Sequence, residues 1–548
     1  MFLTRTSHLR SNHRVCRTIG SLIAVLALCL SAASWAQPQS GAPDIATYGP
    51  YSGLAYGQFP SITAQQFRMH DSIVLPDDRV VAGGTCVAVG ASPAGSRFCL
   101  VVWSAGGNGV TLSVHSTPVN RVSASASGAI ARQPDGKIVV TAPCIYSTMG
   151  TVTQFCTVRF NADFSSDTSF AVGFQNISPS PSTNGDSSAN AIAIQPDGKI
   201  VVAGQCSSNG TDARFCAARL LPDGNPDSTF GGATSLRTFL GVNGTSAVDR
   251  VKRIALTPDG KIYLGGDCKL DVTNLFRACV ARLNADGSID QPFTGSAIKP
   301  LTLPQMSGGS TDDNVADMVV QANGEFVFAG ECKNASSTVV VPCALRMGAP
   351  NATQFTPGTY YLGAKVPTGS STLREPANDG EFSVQRIFMQ PDGKMLMLMQ
   401  FIGANFNFFI VRRYNEDGSR DANWAQELFD FNSVTDGATA VRGVALGQQN
   451  SGKVIAMGFT AGGTGGAGQG RVIRFENRAN PGRNCSMDID GDGKVLPTTD
   501  GLLLARASAG LTGSAVTTGA IGVGATRNTW ALVRDYLVTQ CGMTTILP

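Results

Sequence analysis

Ala191-Ile-Ala-Ile-Gln-Pro-Asp-Gly-Lys-Ile-Val-Val-Ala-Gly-Gln-Cys206 is the stretch whose reading decides the fold of this chain. Apolar alternation gives way to Pro196-Asp197-Gly198, and a β-branched run then ends at a cysteine. That pattern reads as strand, tight turn, strand. In the turn, proline presets φ, aspartate caps through its side chain, and glycine takes the positive φ that a tight hairpin demands.

Working outward, seven copies of the turn lie along the chain. They are Pro76-Asp77-Asp78-Arg79, Pro134-Asp135-Gly136-Lys137, Pro196-Asp197-Gly198-Lys199, Pro258-Asp259-Gly260-Lys261, Ala322-Asn323-Gly324-Glu325, Pro391-Asp392-Gly393-Lys394 and Asn450-Ser451-Gly452-Lys453, spaced 58 to 69 residues apart. A second turn follows in many copies (Leu221 to Gly224, Leu283 to Gly287, Tyr414 to Gly418) and precedes Phe230, Phe293 or Trp424. Each unit therefore holds about four short strands. A unit of this size cannot bury both of its faces alone, so several must stack, and seven suit a closed ring.

These units resemble the bacterial delta-60 repeat, whose pattern is close to ALQPDGKIVVAG…ARLNADGSLDTSFG, over residues 67–477. The resemblance implies β-propeller blades, in agreement with the stacking argument. The expected fold is all-β, a seven-bladed β-propeller of four-stranded repeats, with a small α-helical calcium-loop module after it. The last copy stops at Phe475-Glu476-Asn477 without a trailing strand. Residues 44–66, including Tyr48-Gly-Pro-Tyr-Ser-Gly53, are expected to supply it and lock the first blade to the last. An open β-solenoid is the alternative. The resulting plan is a leader at 1–36, a ring-closing segment at 37–66, the propeller at 67–477, a linker at 478–484 and the C-terminal module at 485–548.

The cysteines follow the repeat. In five copies one lies nine residues after the turn Asp or Asn: Cys86, Cys144, Cys206, Cys268 and Cys332. A second follows after a variable gap: Cys99, Cys156, Cys216, Cys279 and Cys343. Fixed spacing on the strand sides with a variable gap between predicts that each pair bridges a hairpin at opposed cross-strand positions. The sixth copy has Phe401 and Ile410 instead, an apolar contact in place of sulfur. Cys485 and Cys541 bracket the C-terminal module and are expected to clasp it. The gaps are not of the zinc-ligand kind, and after the leader only His70 and His115 remain, which argues against a metal reading. In four copies an arginine stands three residues beyond the second cysteine: Arg159, Arg219, Arg282 and Arg346.

The first 36 residues read as a secretory signal peptide. Arg5, Arg10, Arg14 and Arg17 form a positive start, Ile19 to Leu30 an apolar core, and Ser34-Trp35-Ala36 a small-x-small cleavage site. A signal anchor is the alternative. No other run approaches the length of a membrane span. Without those four arginines, 38 of the 42 basic residues remain against 39 acidic ones. So balanced a chain has no long-range pull toward nucleic acid or anionic lipid. Fourteen cysteines become twelve when Cys16 and Cys29 leave, an even count that suits an oxidising compartment.

Composition changes after Asn477. Asp488-Ile-Asp490-Gly-Asp492-Gly493-Lys494-Val495 is followed by Asp500 and the apolar run Gly501-Leu-Leu-Leu-Ala-Arg506. Oxygen ligands at alternate positions of a tight loop, with Gly493 for the bend and Val495 as anchor, fit Ca²⁺. The expected ligands are Asp488, Asp490, Asp492, the carbonyl of Lys494, and Asp500. The stretch resembles a dockerin-type or EF-hand-like repeat but departs from it, since the closing acid stands at position 13, with Thr499 at 12. The second half, Gly519 to Val538, has a helical tail and no acidic loop, so a second calcium site is not expected. An Asp/Gly-rich surface turn without metal is the alternative.

No nucleophile elbow, phosphate-cradling glycine loop or His-based triad stands out. Counting six residues back from each turn Asp/Asn gives Asp71, Ala129, Ala191, Arg253, Asp317 and Arg386 at the starts of the innermost strands. The charged ones, Asp71, Arg253, Asp317 and Arg386, are candidates for a recognition ring at the channel mouth. The Asp-rich second turns, Asp223 to Asp227 and Asn284 to Asp290, read as capped turns, with weak calcium binding as the alternative. The favoured function is an exported, non-catalytic, monomeric propeller that binds a protein or glycan and acts in the periplasm, at the cell surface or outside the cell. The alternative is a secreted polysaccharide hydrolase or lyase with a dockerin-like attachment module.

Overall fold

The computed structural model describes residues 54–57, 66–87, 96–107, 110–116, 121–122, 128–145, 153–171, 173–175, 187–207, 213–231, 236–238, 248–269, 275–290, 301–302, 313–321, 325–333, 340–347, 357–361, 380–403, 407–415, 440–461, 469–475, 488–492 and 496–537, with positions 418, 419, 421, 424 and 494. The third repeat shows how one unit is built. Ser187–Ile194, Ile200–Cys206, Arg214–Leu220 and Leu236–Thr238 form an antiparallel sheet in chain order. Ile200 and Val202 pack with Val139 and Phe155 of the second unit, whereas Val201 and Ala203 pack with Leu264 and Ala281 of the fourth. Both faces of the strand are buried, which is why Ile200 to Ala203 is continuously apolar rather than alternating.

Seven such sheets of three to five strands are present, a number that fits a seven-bladed propeller. The innermost strand of each touches that of the next, and Ala440–Gln448 of the seventh touches Gln66–Val74 of the first. The core is correspondingly divided into seven apolar clusters, one between each pair of neighbours. The cluster of Phe67, Met69 and Trp103 with Ala445, Ile455 and Val472 closes the circle. Leu54–Gly57 pairs antiparallel with Gln469–Phe475, Leu54 opposite Ile473 and Gly57 opposite Gly470, and supplies the outer strand of the seventh sheet. Blade 6 shows three strands among the described residues.

The anchor turns are fixed by single residues. Gly198 has φ +82°, and its N–H donates to the carbonyl of Gln195. Asp78 takes this conformation in blade 1 with φ +66°, a place where aspartate is among the better-tolerated non-glycine residues. Gly204 answers a different demand. Each inner strand of six blades carries a bulge, in blade 3 between Ala189 and Ala191, opposite Gly204 and Ala203. The bulge drives the Ser188 carbonyl into the neighbouring strand, where a Cβ on Gly204 would lie 1.7 Å from that oxygen.

Cys86–Cys99, Cys144–Cys156, Cys206–Cys216 and Cys268–Cys279 are bonded, with Cα atoms 5.8 to 6.0 Å apart. The partners are diagonal rather than directly opposed. Cys206 faces Arg214, and Cys216 faces Gly204, so strand twist brings together side chains two positions out of register. Cys343 is also disulfide-bonded. The side chains of Cys332 and Phe401, and all of Cys485 and Cys541, lie outside the described residues.

Three of the arginines beyond a second cysteine, and Arg413 at the matching place after Ile410, build the outer clasps of blades 2, 3, 4 and 6, whereas Arg346 lies 3.9 Å from Glu325. Arg159, Arg219, Arg282 and Arg413 donate from Nε to Asp167, Asp227, Asp290 and Asp421 at 2.7 to 2.8 Å. The anchor-turn lysine joins them, with Lys261 Nζ 2.9 Å from Asp290 and Lys394 Nζ 2.6 Å from Asp421. Phe170, Phe230 and Trp424 lie beneath three of the guanidinium groups at 4.5 to 4.8 Å. The second turn and its trailing aromatic therefore exist to complete this clasp. Asp223 caps the N–H of Asn225 and Asp286 caps that of Ser288, so these acids serve their turns.

Candidate functional site

The inner-strand bulges set the chemistry of the channel, because in blades 4 and 6 they break the alternation so that two consecutive residues, Lys252 and Arg253 or Gln385 and Arg386, border its cavities. The residues skipped by the bulge, among them Asn190, Lys252 and Gln385, line a depression of about 760 Å³ at one mouth. The next residues in each strand lie deeper. Asp71, Ala129, Ala191, Arg253, Asp317 and Arg386, the six positions counted back from the turns, all border one axial cavity of about 200 Å³.

The four charged members of that set meet as a network. Arg253 Nε lies 2.5 Å from Asp317 Oδ1, and its Nη1 lies 3.5 Å from Asp71 Oδ2. Asp71 belongs to blade 1 and Arg253 to blade 4, so this contact spans the channel. Arg386 Nη2 is 3.8 Å from Asp71 Oδ1. Asp317 also accepts the N–H groups of Met318 and Ile387, each at 2.9 Å. Burial opposes the charge on Arg253, but Asp317 and Asp71 outweigh it and hold the guanidinium above its ordinary range. For Arg386, burial and the repulsion of Arg253 prevail and push it down. The four expected at the mouth border the deeper cavity, paired with one another, and Arg253 and Arg386 also border the depression at the mouth.

Above this plug, Arg250 Nη2 is 2.5 Å from Asp267 Oδ2, and Lys252 Nζ is 4.0 Å from Asp267 Oδ1. Phe276 packs 4.5 Å from the Arg250 guanidinium. Burial lowers the Lys252 ammonium from its usual range, Asp267 works against that shift, and Arg250 adds to it. Asn190 is held in place by a 2.9 Å bond from its amide to the Val251 carbonyl. Sequence reasoning did not find Arg250, Lys252 or Asp267. The available signal was the glycine of the anchor stretch (Gly204, Gly266), which marks the bulge opposite.

The second candidate site is in the C-terminal unit. Pro497–Gly501 and the helices Leu502–Ser508, Ser514–Thr517 and Trp530–Asp535 surround a small core of Ile489, Leu503, Val516, Ala520, Val533 and Leu537. Asp488, Asp490 and Asp492 each offer a carboxylate oxygen, all within 4.8 Å of one another, and this triad can hold a metal ion. Asp490 is fully buried, and its Oδ2 accepts the Gly522 N–H at 2.6 Å. Arg527 donates to the carbonyls of Ile489 and Asp488 at 2.8 and 2.6 Å and lies 3.9 Å from the Tyr536 ring. The second half thus cradles the first loop from behind.

Asp500 stands apart from the triad. Its oxygens accept the N–H groups of Ile489 at 2.6 Å, Asp490 at 3.2 Å and Leu496 at 2.9 Å, together with the Thr499 hydroxyl at 3.0 Å. Burial works against its charge, but the bonds from Leu496, Asp490, Thr499 and Ile489 hold the carboxyl below the usual range. Lys494 is exposed and donates its N–H to Asp492 Oδ1. Gly493 and Val495 lie outside the described residues.

Among the described residues, no helix is long and apolar enough to cross a membrane. A family model described as "Domain of unknown function (DUF5122) beta-propeller" matches residues 133–170, 195–230, 257–293 and 390–423. No curated protein matches the chain. Among solved structures, the polysaccharide lyase Uly1 is similar at 11% identity over 75% of this chain and 90% of its own, with a TM-score of 0.43. The β-propeller domain of the Trilobed protease from Pyrococcus furiosus follows at 9% identity, with 76% and 94% covered and a TM-score of 0.37. The periplasmic gluconolactonase PpgL of Pseudomonas aeruginosa shows 10% identity, 69% and 91% coverage and a TM-score of 0.36.

Proposed function

We propose that this protein is an exported, non-catalytic propeller of the delta-60 type that binds a polar ligand, such as a glycan, at one mouth of its channel. The observation that carries this reading is the depression of about 760 Å³ above the Arg253–Asp317 plug. Amide and hydroxyl side chains share its wall with charged groups, a lining suited to hydroxyl-rich ligands. Asp71, Asp317 and Asp267 each lie against an arginine. Glycoside hydrolysis instead needs two carboxyl groups flanking the bond to be broken. The disulfide-bonded hairpins suit an oxidising compartment. The C-terminal unit is read as a dockerin-like or EF-hand-like module with one Ca²⁺ site. Asp488, Asp490, Asp492 and the Lys494 carbonyl are its ligands, and Asp500 supports the loop.

The test is calorimetric titration of the exported chain, residues 37–548, with a panel of neutral and acidic oligosaccharides, run beside an assay for newly formed sugar ends. Binding without turnover is expected. Turnover overturns the non-catalytic reading in favour of a polysaccharide hydrolase or lyase.

A further inference from the structure

The charges at the mouth are arranged in two layers. Arg250 and Lys252 keep 33% and 31% of their side chains exposed and Arg386 keeps 19%, whereas Asp267 is 1% exposed. Asp317, which neutralises Arg253 below, is 4% exposed. Asp267 and Asp317 are under the floor, whereas the cations share the cavity with Glu331 on its wall, whose charge acts on Lys252.

The cations are also unevenly matched. Arg253 lies 2.5 Å from Asp317 and 3.5 Å from Asp71, which leaves Arg386 with a carboxylate oxygen at 3.8 Å and the Gln385 carbonyl at 3.0 Å from its Nη1. Arg386 Nε and Arg250 Nε have no acceptor among the described residues. Among the described residues, the carboxylate oxygen within ion-pair distance of Lys252 is that of Asp267 at 4.0 Å, with Glu331 acting on it from farther off. A desolvated cation without a full set of acceptors is costly, and an incoming anion removes that cost.

We infer that the ligand of this mouth carries a carboxylate and that the site takes an acidic saccharide, its uronate group held by Lys252 and Arg386. The inference rests on the binding function proposed above and specifies its ligand class. Lys252 of blade 4 and Arg386 of blade 6 border the same depression and feel each other's charge, and one carboxylate entering between them relieves that repulsion. The amides of Asn190 and Gln385, adjoining them on the wall, suit sugar hydroxyls.

The experiment titrates the exported chain with uronate-bearing oligosaccharides and with their carboxyl-reduced, neutral counterparts, at low and high salt. An acidic member is expected to bind at least tenfold more tightly than its neutral counterpart and to weaken as salt rises. Lys252→Met and Arg386→Met are each expected to lower that affinity tenfold or more, with unchanged melting of Lys252→Met certifying the fold. Equal binding of acidic and neutral members, or wild-type affinity in Lys252→Met, overturns the inference and leaves the binding function standing. Failure of every saccharide to bind overturns both.

Discussion

Arg219 reaches out of its own blade: its Nη1 donates to the carbonyl of Ala285 in blade 4 at 2.6 Å while its Nε holds Asp227 at 2.8 Å. Arg159 does the same to the carbonyl of Pro222 in blade 3. Arg474 reaches from blade 7 to the carbonyl of Ala105 in blade 1 at 3.0 Å, beside Gln449, which donates to the carbonyls of Asp78 and Ala105. One side chain thus closes the sheet it belongs to and fastens it to the next. The same device joins the last blade to the first.

Arg219→Met is therefore expected to cost far more than loss of an exposed pair. It leaves Asp227, 4% exposed, with the Thr229 N–H and hydroxyl on Oδ1 and, for a cation, Lys199 Nζ 3.8 Å away. Breaking a buried pair in this way costs about 3–5 kcal/mol. Asp77→Ala, which removes the exposed Asp77–Arg79 pair and the turn cap on the Arg79 N–H, is expected to cost about 1–2 kcal/mol. Denaturant unfolding of the two variants beside the wild type makes the comparison.

The clasps also predict the acid limit of the fold. Burial works against the charge of Asp167, Asp227 and Asp290, yet hydrogen bonds and cationic neighbours hold all three below the usual carboxylate range. A depressed carboxyl contributes stability that is complete above its unfolded value, near about 3.9, and is lost as pH falls below that. The melting temperature is expected to be flat from neutral pH down to about pH 5 and to drop steeply below about pH 4. A midpoint of loss near neutrality contradicts this assignment.

Gly204→Ala places a methyl group on the Ser188 carbonyl and forces either the bulge or the hairpin to move. The expected cost is at the upper end of the ~1–3 kcal/mol typical of overpacking, or beyond it. Ala203→Gly, on the same strand, should cost less, because it removes one methyl group and adds no clash. Urea midpoints of both variants decide the point.

Calcium should stabilise the C-terminal unit in proportion to its occupancy, by about 2.7 kcal/mol at a free concentration one hundred times the dissociation constant. Asp490→Asn is expected to abolish that gain, since it removes one charge from the triad. Arg527→Met should weaken it by loosening the loop from behind. Hydrogen exchange of residues 488–537 in the intact chain, with and without Ca²⁺, reports both effects. Equal protection under the two conditions rules out the ion.

Much of the architecture was legible because it is encoded locally. The Pro-Asp-Gly turns and the bonded cysteine pairs each depend on residues close in the chain, the cysteines 10 to 13 positions apart, and the repetition only copies that local pattern. The strand that completes blade 7 was found from what that copy lacked, and Leu54–Gly57 falls inside the segment expected to supply it. The arginine three residues past the second cysteine in four copies was visible as a pattern, but its role was not. Its partner lies eight residues on in a second turn, and its other contact is in a different blade.

The amino-acid sequence alone determined the number of blades, the hairpin of each and the way the circle shuts, because turn geometry and two-sided burial act within a single repeat. Only the tertiary structure decided the chemistry of the channel. The bulge opposite Gly266 rotates Lys252 into the mouth and Arg253 onto the axis, where it meets Asp71 from three blades away. The count back from each turn groups these residues, but which of them pair, and across which blades, exists only once the ring has brought its inner strands together.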